Sequence, residues 1–315
     1  MRHNPFRGFG IAVATPFDKE GHVELNTLRT LVRDQLVAGA DFLCVLGTTA
    51  ETPTLSDAEK IAIRETLIET AGKDVPLLLG CGSNNTSDVC HFLKTEDLSG
   101  FDGILVVCPF YNKPTQEGLY QHFKAISEAS PLPIVLYNVP GRTGVNLTAQ
   151  TTLRIAQDCK NVVAIKEASG KIEQIEDIVD NAPEGFDVIS GDDSITFELM
   201  TIGAKGVISV IGNAYPQDFG NMIHYAQKEE YTEALKLHRS FNGLYKLMSI
   251  NGNPSGIKCL LNILGKAENI LRLPLVPVTE EIEKRIKLFT EKFKTERVKN
   301  RHSANDLPLR RRIAA

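Results

Sequence analysis

The chain has 315 residues, is 42% hydrophobic and 23% charged, and carries a formal net charge of −4. Those values fit a globular α/β protein with room for one large domain and an appendage, and the acidic balance argues against a nucleic-acid partner. No run approaches the roughly 20 apolar residues of a membrane-spanning helix, and residues 1–10 hold no apolar stretch of signal-peptide length, so a cytoplasmic place and no membrane contact are expected.

In chain order, residues 11–14 form a short apolar run, and residues 25–37 follow with helical spacing until Gly39 stops them. Residues 42–46 read as a second strand, ending in Gly47-Thr48-Thr49. Ser56 then looks like an N-cap, with Glu59 as its capping-box partner. The alternation continues with apolar runs at 75–79, 104–108, 134–137, 162–166, 188–190 and 207–210, each followed by a segment of helical periodicity. Eight such units within about 228 residues predict a (β/α)8 TIM barrel. An open doubly wound sheet would more often begin with a G-x-G-x-x-G turn, and none follows the first run.

Beyond residue 228 only helical patterns remain, at 231–248, 255–264 and 279–294, separated by stretches such as Asn251-Gly252-Asn253-Pro254. The expected organisation is a barrel over 1–228, a C-terminal helical extension over 229–296 and a basic tail over 297–315. The tail carries Arg310-Arg311-Arg312 and reads as a solvated, disordered terminus. The six cysteines, Cys44, Cys81, Cys90, Cys108, Cys159 and Cys259, show no C-x-x-C spacing, and several sit in apolar runs, which predicts free, buried thiols.

The stretch V-V-A-I-K-E-A-S-G at 162–170 stands out. Its apolar start reads as a strand buried on both faces, and Lys166 ends it. One reading is a packed stem whose amine snorkels to solvent. The other is a functional amine at the carboxyl end of a barrel strand, where this fold keeps its chemistry. Other reactive side chains fall at the same end: Thr48 and Thr49 after the second strand, Tyr111 after the fourth, Tyr137 closing the fifth and Asp192 after the seventh.

The seven histidines lie on termini, turns or helical segments and offer no zinc ligand set, and Asp192 in Gly191-Asp192-Asp193 reads as a helix cap. No metal or cofactor is therefore expected. What remains is Schiff-base chemistry between the amine and a carbonyl substrate, for which burial makes a lysine easier to deprotonate. Such chemistry moves several protons, and hydroxyls can carry them. Tyr137 suits the position nearest the imine, with Thr48 and Tyr111 behind it. Against this stand a core tyrosine bonded to backbone for Tyr137, and a surface or interface aromatic for Tyr111.

The segments G-T-T-A-E, P-F-Y-N-K-P-T-Q-E-G-L-Y-Q-H-F, Y-N-V-P-G-R-T-G, A-I-K-E-A-S-G, G-V-I-S-V and L-R-L-P-L-V-P-V together closely resemble the dihydrodipicolinate synthase family, in order over the whole barrel and into the helical part. The resemblance implies a lysine-biosynthesis enzyme of the diaminopimelate route that condenses pyruvate with L-aspartate-4-semialdehyde as a homotetramer, a dimer of dimers. It implies that Lys166 forms the pyruvate imine and that Tyr137 donates and accepts protons. Thr48 and Tyr111 would complete the relay, with Tyr111 reaching into a neighbouring subunit. Thr49 and the backbone at Ile208 would hold pyruvate, and Arg142 would bind the semialdehyde carboxylate.

Arg142 separates this reading from N-acetylneuraminate lyase and the 2-keto-3-deoxy sugar acid aldolases, which share the lysine and tyrosine but cleave longer, polyhydroxylated substrates; a surface-turn arginine is the plain alternative. A catalytically silent carboxylate-binding relative is a third reading, opposed by the joint presence of Thr48, Tyr111, Tyr137 and Lys166. Two departures from the family pattern bear on function. Ala50 stands where glycine is usual, and it would be strained if that position needs a positive φ; a local adjustment without loss of activity is expected. At positions matching the lysine-effector pocket, Asn84 fits, Asp88 is a shortened carboxylate, Phe110 lacks a hydroxyl and Lys60 replaces a histidine, so feedback by lysine is expected to be weak or absent.

Overall fold

The computed structural model describes residues 4–305, without the side chains of 298–305. Runs rich in Val, Ile and Leu, apolar on both faces, form eight strands: β1 (Gly8–Ala12), β2 (Phe42–Val45), β3 (Leu77–Cys81), β4 (Gly103–Val107), β5 (Ile134–Asn138), β6 (Val162–Glu167), β7 (Asp187–Ser190) and β8 (Gly206–Ser209). All pair in parallel and in chain order, and β8 closes onto β1 with Gly8 opposite Gly206 and Gly10 opposite Ile208. The predicted barrel is the observed one.

Bounds shift by a few residues. β1 begins at Gly8, earlier than the apolar run at 11–14, because Gly8 and Gly10 read as loop in the sequence. In the barrel they are wall residues: a Cβ on Gly10 would collide with the Phe42 ring.

Around the strands lie α1 (Leu25–Val37), α2 (Asp57–Ala71), α3 (Thr86–Thr95), α4 (Gln116–Ala129), the single turn α5 (Pro140–Thr143), α6 (Ala149–Asp158), α7 (Ile172–Asn181), α8 (Thr196–Thr201) and α9 (Pro216–Gln227). The capping box at α2 is present: Ser56 Oγ accepts from the Glu59 backbone N–H, and the Glu59 carboxylate accepts from the Ser56 N–H at 2.9 Å. Two apolar cores result. The barrel interior is filled by inward residues such as Phe6, Phe42, Leu78, Leu105, Val135 and Ile189, and a larger layer lies between strands and helices. Phe6 plugs the amino-terminal end, its ring 5.6 Å from that of Phe42. A filled floor leaves only the carboxyl end free for chemistry.

The extension differs from the expectation in two places. The span 231–248 is two helices, α10 (Tyr231–Ser240) and α11 (Asn242–Ile250), followed by α12 (Ser255–Ile263). The break falls at Phe241, just before Asn242-Gly243 opens α11, and a Cβ on Gly243 would come within 3.2 Å of the Phe289 ring. The last helix, α13 (Glu280–Asn305), continues past residue 297, where the tail was expected to start. Arg297 pairs with Asp218 of α9 at 2.9 Å, which ties this part of the helix to the barrel. Arg310-Arg311-Arg312 lie outside the described residues. No described helix is long and apolar enough to cross a membrane. No disulfide forms among the six cysteines; Cys44, Cys108, Cys159 and Cys259 are buried, and Cys81 and Cys90 are half-buried.

Candidate active site

Parallel pairing decides which side chains meet at the carboxyl end of the barrel. β5 and β6 are aligned with Tyr137 beside Lys166, β4 and β5 with Val107 beside Tyr137, and β6 and β7 with Lys166 beside Ile189. Lys166 is 6% exposed and Tyr137 7%, and the lysine Nζ lies 4.4 Å from the centre of the tyrosine ring. The amine therefore points inward, against the aromatic face, and does not snorkel outward between strands and helices. Cys44 stands on β2 in the same interior. Burial pushes its thiol up to about 11, with the Lys166 charge pulling back, so it stays protonated and offers no competing nucleophile.

Room for the amine is made by Gly191. A Cβ there would lie 2.8 Å from the Ala168 Cβ and 3.0 Å from the Lys166 Cε. The next residue along β6, Glu167, faces away from the barrel axis into a buried polar cluster. It accepts from the Asn138 amide, from Ser169 Oγ at 2.5 Å and from the Ser169 N–H at 3.1 Å. Burial raises the Glu167 pKa, and these donors oppose the rise. The cluster fixes the end of β6, and with it the root of Lys166.

Past β2 the chain turns sharply. Leu46 has φ 54°, Thr48–Ala50 make one turn of 3-10 helix, and Glu51 has φ 55°. The left-handed position is thus Glu51; Ala50 keeps ordinary helical geometry, so its Cβ costs nothing. Thr15 Oγ1 donates to the Ala50 carbonyl at 2.9 Å, and Thr52 Oγ1 donates to the Gly47 carbonyl at 2.9 Å. These bonds hold Thr48 at the rim and bury Thr49 behind it.

On the far side of the mouth, α5 presents Arg142, whose guanidinium donates to the Asn253 carbonyl at 3.0 Å. The Asn253 side-chain amide donates to Thr49 Oγ1 at 2.9 Å. One residue of the extension thus touches both candidate substrate-holding side chains. After β7, Asp192 Oδ1 accepts from the Ser194 N–H at 2.9 Å, the expected cap. Asp193 Oδ2 accepts from the N–H groups of Val210 and Ile211 at 3.0 and 2.7 Å, fixing the turn that follows Ile208; burial lifts its carboxyl to about 6.

A cavity of 570 Å³ opens at this end, lined by Thr48, Tyr137 and Arg142. Its walls also include Lys60, Arg64, Asp88 and Phe110. Asn84 is turned to a different task, donating to the Phe110 carbonyl at 3.1 Å. Thr48, Tyr137 and Arg142 line this cavity; Lys166 packs on the Tyr137 ring behind it, Thr49 is buried and tied to Arg142 through Asn253, and Ile208 is buried on β8. Tyr111 stands apart from them. It is 88% exposed with φ 73°, and among the described residues no hydrogen bond joins its hydroxyl to Tyr137 or Thr48.

Sequence reading missed Gly191 as a spacer, Glu167 as an anchor, Arg64 as a wall and Asn253 as a bridge. Glu167 lay inside a quoted motif, where a charge following a buried strand was the available signal. Nothing local marks Asn253, whose partner Thr49 is 204 positions away.

The model of the dihydrodipicolinate synthetase family matches residues 5–292. A 4-hydroxy-tetrahydrodipicolinate synthase of Phocaeicola vulgatus is 55% identical over 277 residues, which cover 88% of this chain and 93% of the relative. The crystal structure of dihydrodipicolinate synthase from Thermotoga maritima is 42% identical, with a TM-score of 0.89, covering 92% of this chain and 99% of that one. The enzyme from Acinetobacter baumannii, solved with pyruvate, is 36% identical with a TM-score of 0.88, covering 91% of this chain and 99% of that one. Taken with the inward amine at the open end of an eight-stranded barrel, these matches make the chain a member of the dihydrodipicolinate synthetase family.

Proposed function

We propose that the chain condenses pyruvate with L-aspartate-4-semialdehyde to 4-hydroxy-tetrahydrodipicolinate through an imine on Lys166. The observation that carries the residue roles is the buried amine of Lys166 packed 4.4 Å from the ring centre of Tyr137 at the open end of the barrel. The unprotonated Nζ adds to the keto carbon of pyruvate, and loss of water gives the imine. Removal of a methyl proton gives an enamine, whose carbon attacks the aldehyde. The semialdehyde's own amine then adds to the imine carbon, expels Lys166 and closes the ring. One water leaves overall, and the chemistry needs no cofactor.

Tyr137 exchanges the protons, passed outward by Thr48 and by Tyr111 of a neighbouring subunit. Thr49 and the backbone at Ile208 hold the pyruvate carboxylate. Arg142, at the rim and reaching across it, takes the semialdehyde carboxylate through its guanidinium fork. This reading also carries a homotetramer built from tight dimers and a place in the cytoplasm.

Borohydride reduction in the presence of pyruvate, followed by peptide mapping, should leave the adduct on Lys166. Turnover should be seen with aspartate-4-semialdehyde and not with N-acetylneuraminate, and Tyr137→Phe should lower kcat by roughly 10²–10⁴-fold. An adduct on another residue, or preference for the sugar acid, overturns the reading.

A further inference from the structure

The turn carrying Thr48 and Thr49 is gripped by side chains more than 200 positions later in the chain. The Glu51 carboxylate is ion-paired with Lys258 of α12, and the side chains of both are essentially inaccessible to solvent. The other Glu51 oxygen accepts from the Arg272 backbone N–H at 3.1 Å. Lys258 also donates to the Ile270 carbonyl at 2.8 Å and lies 3.8 Å from the centre of the Phe17 ring. Burial draws the lysine down to about 8, and the adjacent carboxylate opposes that fall. The Arg272 guanidinium donates to the Thr54 carbonyl and to Glu59, at the other end of the same loop, and to the Gly21 carbonyl in the connection between β1 and α1. Asn253 completes the set through its bond to Thr49 Oγ1.

A buried ion pair is a poor device for stability alone, since apolar side chains of similar size often serve as well. What it supplies is direction. Glu51 adopts a left-handed conformation that a side chain disfavours, and its two carboxylate oxygens are held from two different quarters. Its backbone N–H donates to the Thr48 carbonyl at 3.2 Å, so fixing Glu51 fixes the 3-10 turn. We propose that Glu51 and Lys258, with Asn253, are positioning residues for keto-acid binding: the C-terminal extension clamps the β2 turn so that Thr49 presents its hydroxyl to pyruvate. This rests on the role given to Thr49 above.

The test compares the parent chain with Asn253→Ala, Lys258→Met and Glu51→Gln/Lys258→Met, well below their melting midpoints. Asn253→Ala keeps the backbone carbonyl that holds Arg142, and so removes only the bond to Thr49. The KM for pyruvate should rise roughly tenfold in each variant, as for loss of one well-made hydrogen bond, while the KM for the semialdehyde changes by less than about twofold. The double variant, which leaves no buried charge unpaired, should recover most of the melting midpoint lost in Lys258→Met yet keep the raised pyruvate KM. A pyruvate KM within about twofold of the parent in Asn253→Ala and the double variant, or one that recovers together with the melting midpoint, overturns the proposal. Should Lys258→Met not fold, the other two variants decide. Failure of the parent itself to form an imine would instead sink the assigned function, so the two failures are distinguishable.

Discussion

Lys60 puts an ammonium into the wall of the same cavity that Tyr137 and Arg142 line, beside Arg64, Asp88 and Phe110. Its nearest anion is Asp57, 3.0 Å away and almost fully exposed, and an exposed pair of this kind cancels little of the charge. Asp88 is itself engaged, accepting from the Asn85 amide at 2.9 Å. A free lysine entering here would meet the Lys60 ammonium, an Arg64 already paired with Glu96 at 3.0 Å, and one occupied carboxylate. Weak or absent feedback follows: half-maximal inhibition by L-lysine is expected above the millimolar range, in initial rates measured at saturating pyruvate. Lys60→His at pH 8 should lower that concentration roughly fivefold, as removal of about 1 kcal/mol of repulsion requires. Sub-millimolar inhibition of the parent would show that the charge at position 60 does not govern the site.

Packing between α3 and α4 rests in part on His122, 4% exposed, with Nδ1 2.9 Å from Thr86 Oγ1 and its ring edge-on to Phe123. Burial pulls this imidazole down to about 4 from an ordinary 6.5. Between those values the unfolded chain binds a proton that the folded one refuses. The stability present above about pH 6.5 is therefore lost as pH falls toward 4, by at most about 3 kcal/mol. The urea midpoint of the parent should fall more steeply over that window than that of His122→Asn, which is neutral throughout; parallel slopes would exonerate His122. Nothing local announced this, because His122 sits in the middle of an amphipathic helix whose face only the tertiary fold decides. The strands were far more legible. Runs such as 134–137 and 162–166 have no polar face, so only a sheet covered on both sides suits them. Strand ends and helix breaks read poorly near glycines, at Gly8 and Gly10 in β1 and at Gly243 in the first turn of α11, since these glycines answer to distant side chains, those of Asp41, Phe42 and Phe289. Lys166 and Tyr137 were legible because each closes a barrel strand at its carboxyl end. The clamp on Glu51 was not, although Lys258 inside the apolar run Ile257–Leu261 was a visible anomaly.

At the scale of the whole molecule, one chain supplies the amine, the inward tyrosine, the threonines and the arginine, and leaves Tyr111 standing outside the mouth. Tyr111 is a non-glycine residue with φ 73°, a conformation that a side chain disfavours, and its phenol is 88% exposed. The neighbouring Phe110 is 40% exposed as well, so the loop offers adjacent aromatic surface to a partner. A second subunit docking there would bury both rings and carry Tyr111 toward the partner's Tyr137 and Thr48, closing the relay in trans. Subunit mixing tests this directly. Tyr111→Phe and Lys166→Met should each be poorly active alone. In a mixed dimer, one site combines the intact Lys166 of the first variant with the intact Tyr111 of the second. Reassociation of equal amounts should therefore restore roughly a quarter of parental activity, since half the dimers are mixed and each has one complete site. If Tyr111 works within its own chain, every site in the mixture lacks one of the two groups, and activity stays at the average of the two parents.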